Sequence, residues 1–295
     1  MGDVGVGSTT AQRSHRRRWV SVAVVAALGI GVGLFLFLRS GEPASTPLGG
    51  TDGTASAWPN RASTGVPAGT ALTASGPLTL SEDGQTVEGL DVDGPIVVDA
   101  SDVVIRNSRV HGSAPTGILV RGGSVRIERT EISGFANAIS GDNWTATAVD
   151  IHGVTDDGVK LGNNVSLTDS WLHDFTPAAD AHSDGVQMQS GLSNVRITGN
   201  DIDLSTAPEA NAAIFLSPDL GPSSDGPITV ENNRLNGGNY TLYCVDGANG
   251  TYVVGGISIL GNQFGRTARY GPSRINVPIT QADNHWADTG EPLVL

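Results

Sequence analysis

The sequence of 295 residues is poor in several residue types that stabilise or diversify most proteins. Its one cysteine, Cys244, excludes an intramolecular disulfide, and its one lysine, Lys160, leaves arginine as the usual cation. Aromatic residues make up 5% of the chain, so a core must be built mainly from aliphatic side chains. After residue 60, apolar residues nowhere keep the 3.6-residue period of an amphipathic helix. These absences exclude a helical fold for most of the chain.

Basic residues are scarce in most of the chain. Residues 41–295 carry 12 basic and 29 acidic side chains, a net charge of −17, whereas residues 1–40 have a net charge of +4. Nucleic-acid binding needs basic surface to neutralise phosphates. The composition therefore predicts no nucleic-acid partner.

One long uncharged run, residues 19–38, is 20 residues long, which is enough to cross a bilayer as a helix. Four arginines precede it and one follows it, which predicts a cytoplasmic N-terminus. We therefore expect a basic cytoplasmic segment (1–18), a transmembrane signal anchor (19–38), a flexible Gly/Pro/Ser/Thr-rich linker (39–59) and a folded extracellular domain (60–295). A cleaved signal peptide and a secreted domain are the alternative.

The folded part is built on a repeat. Segments 155–161 (TDDGVKL) and 182–188 (HSDGVQM) share the pattern Asp-Gly-Val-x-apolar, and looser copies occur on both sides. Successive apolar anchors are 21, 20, 27, 28 and 28 residues apart, which indicates a solenoid. The anchors are Ile118, Ile139, Val159, Val186, Ile214 and Leu242.

Two further strands follow each anchor, and a polar residue lies two positions before the last apolar one. Stacked on one another, these polar residues would form a hydrogen-bonding ladder, and Asn also tolerates the left-handed backbone of a tight bend. The ladder residues are Ser108, Thr130, Ser170, Asn200, Asn233 and Asn262, with Val149 as the exception.

From about Trp58 to Leu295, the strand period, the polar ladder and the Gly-Asn-x-apolar turns resemble the pectin-lyase-like superfamily. The resemblance implies an all-β fold, a single-stranded right-handed parallel β-helix (solenoid) of about eight turns, here preceded by one N-terminal transmembrane helix. This architecture carries lyases, hydrolases, epimerases, esterases and tailspikes, so it implies a polysaccharide partner without choosing the reaction.

Strand alternation predicts a groove. If the anchors point inward, then Lys160, Gln187, Phe215 and Tyr243 point outward, stacked ~4.8 Å apart, and small residues (Gly158, Gly185, Ala213, Thr241) also face outward. Insertions at 173–181 and 203–210 would form one wall, and residues 217–226 and 246–255 the other.

The candidate catalytic residues are Asp157, Lys160, His182 and Asp184. Lysine is the base in some β-helix lyases and epimerases, but neighbouring carboxylates would raise its pKa and disfavour that role. A pair of aspartates suits an inverting hydrolase, and His182 could serve as general acid or base. A bend-capping aspartate ladder is the structural alternative.

The same geometry predicts residues that contact a ligand. Gln187, Gln189, Asn211, Phe215 and Tyr243 are predicted to bind substrate, with Trp171 as a further stacking platform. Arg266, Arg269 and Arg274 could meet uronate carboxylates. By resemblance to pectate lyases, Asp156, Asp157 and Asp184 are candidate ligands for Ca²⁺.

The sequence therefore predicts a monomeric, surface-anchored, carbohydrate-active protein that acts on a polysaccharide as a lyase or glycoside hydrolase. The alternative is a non-catalytic glycan-binding or cell-surface module.

Overall fold

A computed structural model describes residues 58–295. The predicted membrane helix at 19–38, the segment before it and most of the linker lie outside the described residues. Between Trp58 and Leu295, no helix is long and apolar enough to span a bilayer.

Strands make up the regular structure of this region, and one 3₁₀ turn (Ala248–Gly250) is its helical element. In chain order the strands are β1 (Thr73–Ser75), β2 (Leu78–Leu80), β3 (Thr86–Glu88), β4 (Leu90–Asp93), β5 (Ile96–Arg106), β6 (Arg109–His111), β7 (Thr116–Glu128), β8 (Glu131–Ser133), β9 (Asn137–Gly141), β10 (Trp144–Thr147), β11 (Asp150–His152), β12 (Val159–Lys160), β13 (Val165–Thr168), β14 (Trp171–His173), β15 (Asp184–Met188), β16 (Val195–Thr198), β17 (Asp201–Asp203), β18 (Ala212–Leu216), β19 (Ile228–Glu231), β20 (Arg234–Asn236), β21 (Tyr240–Cys244), β22 (Ile257–Leu260), β23 (Gln263–Phe264), β24 (Gly271–Ile275), β25 (Ile279–Ala282) and β26 (His285–Trp286).

The strands form three faces of a coil, and neighbouring strands within each face are parallel. The first face contains β2, β9, β12, β15, β18, β21 and β24, and the second contains β3, β10, β13, β16, β19, β22 and β25. The long strands β5 and β7 run through both, because each continues around the corner between them. The third face contains β1, β4, β6, β8, β11, β14, β17, β20, β23 and β26.

The predicted anchors lie in register on the first face. Ile118 pairs with Ile139, Ile139 with Val159, and the series continues through Val186 and Ile214 to Leu242. All six are fully buried, with 0% exposure. The repeat seen in the sequence is therefore confirmed, because each coil buries its anchor against the next.

On the second face, one turn has an aromatic residue at a core position. Trp144 pairs with Val125 at the position of the usual β-branched residue, and its ring is fully buried at 0% exposure. Its indole N–H donates to the carbonyl of Gly141 at 2.9 Å. A large aromatic side chain thus fills the core position that a valine or isoleucine occupies elsewhere, and its one polar atom is satisfied.

The polar ladder is also confirmed, and it extends one coil further, to Asn284. The Nδ2 of Asn200 donates to Oδ1 of Asn233 at 2.9 Å, and Asn233 donates likewise to Asn262 at 2.9 Å. The left-handed backbone lies one residue before each ladder position, as at Asn232 (φ 53°), and not on the ladder residue itself. The ladder asparagines instead satisfy buried backbone carbonyls, such as that of Ile197.

The coil is longer than predicted, since its third face has ten strands where about eight turns were expected. Beyond β26 the chain folds back, and Leu293 donates its N–H to the carbonyl of Asn284 at 2.8 Å. This return covers part of the last coil's strand edge.

Loops flank the first face as predicted. Residues 174–183 and 204–211 connect the third face to β15 and β18, and residues 217–227 and 245–256 lead from the first face to the second. The longer loops therefore lie on both sides of β15, β18 and β21.

Candidate functional site

An ion pair on the first face joins a buried carboxylate to a partly exposed amine. Nζ of Lys160 lies 2.6 Å from Oδ2 of Asp157 and 3.9 Å from Oδ2 of Asp156. The Asp157 side chain is 0% exposed, whereas that of Lys160 is 26% exposed. The lysine therefore neutralises a carboxylate that has no contact with solvent.

Gln187 extends this pair to the next coil. Nζ of Lys160 donates to Oε1 of Gln187 at 2.7 Å, and Nε2 of Gln187 donates to Oδ2 of Asp184 at 3.2 Å. Because an ammonium can only donate, it fixes the amide with its oxygen toward Lys160 and its nitrogen toward Asp184. Asn211 donates to the other oxygen of Asp184 at 2.9 Å. We call Asp157, Lys160, Asp184, Gln187 and Asn211 the carboxylate cluster.

Two glycines turn these carboxylates away from the core. A Cβ on Gly185 would lie 2.6 Å from Cγ2 of Ile202, and one on Gly158 would lie 3.0 Å from Cδ2 of Leu172, so both positions point toward the core. Ala213 and Thr241 at the same position are 0% exposed. The prediction that these small residues face the groove is wrong, because the residue before each anchor faces inward like the anchor itself. Asp157 therefore lies on the same side of the strand as Lys160, and Asp184 on the same side as Gln187.

Burial dominates the acid–base properties of the cluster. It raises the pKa of Asp157 to about 6, although the ion pair with Lys160 opposes the rise. It also raises the pKa of Asp184 well above its ordinary value, helped by the neighbouring Asp157 carboxylate. Two adjacent carboxyls with raised pKa values beside a cation are more common at functional sites than elsewhere.

Two of the predicted site residues lie outside this network. The side chain of His182 is exposed, and among residues 58–295 it forms no hydrogen bond or ion pair. Gln189 is half-buried at the end of β15, where its backbone carbonyl accepts the N–H of Leu220 at 2.7 Å. Gln189 therefore links the strand to the flanking loop.

The outward side chains continue beyond the cluster in strict register. Lys160 pairs with Gln187, Gln187 with Phe215, Phe215 with Tyr243, and Tyr243 with Arg274. The ring centroids of Phe215 and Tyr243 are 5.3 Å apart. We call these five residues the track. Burial raises the pKa of Tyr243, whose ring is 8% exposed.

Other predicted ligands are distributed differently. Trp171 belongs to β14 on the third face, where its ring stacks on His173, so its predicted place beside the track is wrong. Arg266 pairs with Asp288 at 2.8 Å and lies over Trp286. Arg269 lies over Tyr270, itself 5.6 Å from Tyr240. Arg274 alone of the three arginines belongs to the track.

The candidate calcium ligands Asp157 and Asp184 already have other partners. Among residues 58–295, no group of three or more Asp, Glu, His or Cys side chains is placed to share a metal ion. Oδ2 of Asp157 faces the Lys160 ammonium, and both oxygens of Asp184 accept amide N–H groups. Calcium takes six to eight oxygen ligands, and this set would offer it a competing cation instead.

The larger cavities lie away from the carboxylate cluster. One of about 1080 Å³ follows the corner between the second and third faces beside Trp58. Another, of about 610 Å³, lies over the third face, lined by Trp171 and His173 among others. The first-face site is therefore a flanked surface and not a deep pocket.

The sequence analysis did not predict a cluster of interacting polar residues on the third face. Nε2 of His173 lies 3.0 Å from Oδ1 of Asp150, and its Nδ1 lies 2.8 Å from Oδ2 of Asp174. The signal was present, because Asp150 and His173 each adjoin a core residue in a three-residue strand and must face outward.

Residues 93–271 match the family model described as "Right handed beta helix region". The chain belongs to this right-handed β-helix family. The family assignment agrees with the parallel three-faced coil and supplies its hand, and it confirms the predicted right-handed parallel β-helix. The resemblance stated from the sequence is thereby supported at the level of fold.

Two solved structures resemble this β-helix. The alginate lyase from Paenibacillus sp. str. FPU-7 is 9% identical with a TM-score of 0.35, and the match covers 73% of this chain and 88% of the lyase chain. QnrB1, a plasmid-mediated fluoroquinolone resistance protein, is 8% identical with a TM-score of 0.15, and its match covers 68% and 92%. No curated protein matches this chain significantly in sequence. We transfer no function at these values.

Proposed function

We propose that this protein acts on an acidic polysaccharide held along the track on the first face. The observation that carries the proposal is the uninterrupted register of Lys160, Gln187, Phe215, Tyr243 and Arg274 on five successive strands. At ~4.8 Å per strand, the track is about 19 Å long. Such a rigid stripe suits an extended polymer better than a small compact ligand.

The chemistry of the track supports a glycan with negative charge. Phe215 in its middle is partly exposed and provides an apolar face for a sugar ring. Arg274 lies at one end of the track, whereas Lys160 at the other end is already paired with Asp157. Arg274 is exposed and forms no ion pair within residues 58–295, so its guanidinium is free to pair with a carboxylate of the ligand.

Binding is tested with the full-length chain in a mild detergent, passed over immobilised polygalacturonate or alginate, with dextran as the neutral control. We expect retention on the acidic polymers that weakens as salt is added. Phe215→Leu and Arg274→Gln should each weaken retention about tenfold, the equivalent of ~1.4 kcal/mol.

The matched control is Arg126→Gln, which removes an exposed arginine on the second face. It should leave retention unchanged. If neither acidic polymer is retained, or if all three variants behave alike while folded, the track is not the binding surface.

Turnover is the second candidate, supported by the raised pKa values of Asp157 and Asp184 beside Lys160. Since Asp157 is 0% and Asp184 1% exposed, the cluster must open for either carboxyl to reach a substrate. Unsaturated products absorbing in the ultraviolet would identify a lyase, and reducing ends without that absorbance a hydrolase. Retention without product, with or without added calcium, would identify a binding module.

The proposal includes a place in the cell. Residues 19–38 would anchor the β-helix at the outer surface of a membrane, where it meets polysaccharide. N-terminal sequencing of the protein from membranes tests this point. A first residue after 38 would show cleavage and secretion instead.

A further inference from the structure

The chain segment before the first strand lies along the side of the coil. The N–H of Gly65 donates to the carbonyl of Ala148 at 2.9 Å, which fixes the segment beside β11. The chain then reaches β1, where Thr73 donates to the carbonyl of Gly89 at 2.8 Å. Residues 61–72 thus pass several coils of the third face and form one wall of the 610 Å³ cavity. We call this space the side groove.

Outward side chains of four successive third-face strands line the floor of the side groove. Arg109, Glu131 and Asp150 pair in register with Trp171 at the end of the series. The volume lies within the ~300–1,000 Å³ of typical small-ligand sites. Side chains from several strands therefore converge on a space of ligand size, which the first-face cluster does not have.

Charges in the side groove are compensated within it. Glu131 pairs with Arg109 at 3.1 Å and with His152 at 3.6 Å, and the pairs lower the pKa of Glu131 to about 2. Asp150 pairs with His173 at 3.0 Å. A charged ligand would meet groups of both signs. A carboxylate has about four lone-pair positions, so these acceptors keep capacity for hydroxyl donors.

Trp171 supplies the apolar part of the floor. Its ring is stacked on His173 at an interplanar angle of 16° and is half-buried. The stacked neighbour fixes the indole plane, which reduces the conformational entropy lost when a ligand packs against it. An indole beside hydroxyl-accepting carboxylates matches the two surfaces of a sugar ring, one apolar and one polar.

We propose that the side groove is a second binding site, for a short neutral saccharide. It is separate from the track, because the track lies on the first face and the side groove on the third. The proposal does not depend on the acidic polysaccharide site, since none of its residues belongs to the track.

The probes are neutral disaccharides (cellobiose, maltose and lactose) and digalacturonate as the acidic comparison. Binding to the full-length chain is measured by ligand-observed saturation-transfer NMR and by titration calorimetry. We expect at least one neutral disaccharide to bind at millimolar concentration or below. Trp171→Leu should weaken it about tenfold, through loss of ring stacking.

A second variant protects the test against misfolding. Ala68 is exposed and lines the groove, so Ala68→Trp adds bulk from the opposite wall without altering the floor. It should also weaken the disaccharide about tenfold or more. Both variants should keep the retention of acidic polymer, whereas Phe215→Leu should reduce that retention and leave disaccharide binding unchanged.

Three results would overturn the proposal. One is that no neutral disaccharide binds. Another is that binding survives both Trp171→Leu and Ala68→Trp in folded protein. The third is that digalacturonate alone binds and is lost in these variants. Failure of acidic retention with intact disaccharide binding would instead reject the track.

Discussion

Lys160 is held against Asp157 at 2.6 Å, with the carboxylate sealed in the coil and the ammonium reaching the surface. The pair gives a direct explanation for the single lysine of the chain: a buried carboxylate there needs a cation. It also disfavours Lys160 as a general base, because Nζ of Lys160 already donates to Asp157 and to Gln187.

Removing that cation should destabilise the fold in a pH-dependent way. Lys160→Met leaves Asp157 buried without a partner, which should cost about 1–3 kcal/mol at pH 8, less than for a fully buried pair because the lysine is partly exposed. Since the pKa of Asp157 is about 6, the carboxyl is largely protonated at pH 5 and the loss should shrink there. Urea unfolding at both pH values measures the difference. An equal loss of unfolding free energy at pH 5 and pH 8 would show that the Asp157 carboxylate is not the group that needs Lys160.

Asp184 should make the folded state less stable as pH rises. Its folded-state pKa is raised by burial, so the folded chain binds more protons than the unfolded chain above the ordinary pKa. Stability from this group is therefore present at low pH and lost on raising the pH. In Asp184→Asn, the free energy of unfolding relative to wild type should increase with pH, by up to about 1.4 kcal/mol per unit.

Asp156→Asn is the matched control for that slope, because its side chain is 37% exposed. Its slope should differ from wild type much less than that of Asp184→Asn, because the Asp156 carboxylate only adds to the rise in the pKa of Asp157. If Asp184→Asn runs parallel to wild type, the buried carboxyl is not the source of the slope.

Gly185 should not tolerate a side chain without a loss of stability. Gly185→Ala would place its Cβ 2.6 Å from both Cγ2 of Ile202 and the carbonyl oxygen of Ala213, which should cost about 1–3 kcal/mol. Gly76→Ala, at a site with nothing within 4 Å, should change stability by less than ~0.5 kcal/mol. Thermal unfolding of the two variants gives the comparison. Equal stabilities would mean that the backbone around Gly185 relaxes freely.

An asparagine of the buried ladder should contribute more to the free energy of unfolding than an asparagine near the surface. Asn233 bonds to Asn200, to Asn262 and to the carbonyl of Ile197, all buried. Asn233→Ala should therefore cost about 2–4 kcal/mol by leaving buried groups unpaired. Asn163→Ala removes a bond to Ser193 near the surface and should cost under about 1 kcal/mol. Chemical denaturation of both variants checks the order.

Cys244 confirms a simple sequence inference. It lies two residues after the anchor Leu242, so strand alternation predicts that it points inward, and it is 0% exposed, with its pKa raised to about 12 by burial. The same period-two reasoning placed Lys160, Gln187, Phe215 and Tyr243 on one outward stripe. Alternation therefore gave both the core and the track correctly wherever a strand is regular.

The sequence alone determined the coil, because a solenoid repeats one local pattern and each repeat contacts its neighbours. The anchors, the ladder and the loop positions follow from that local periodicity. The features that depart from this periodicity were decided by the tertiary structure. The inward-facing positions of Gly158 and Gly185 bring two aspartates into a buried cluster, and the segment 61–72 lies along the third face. Both depend on packing between residues far apart in the chain, and no local period records such packing.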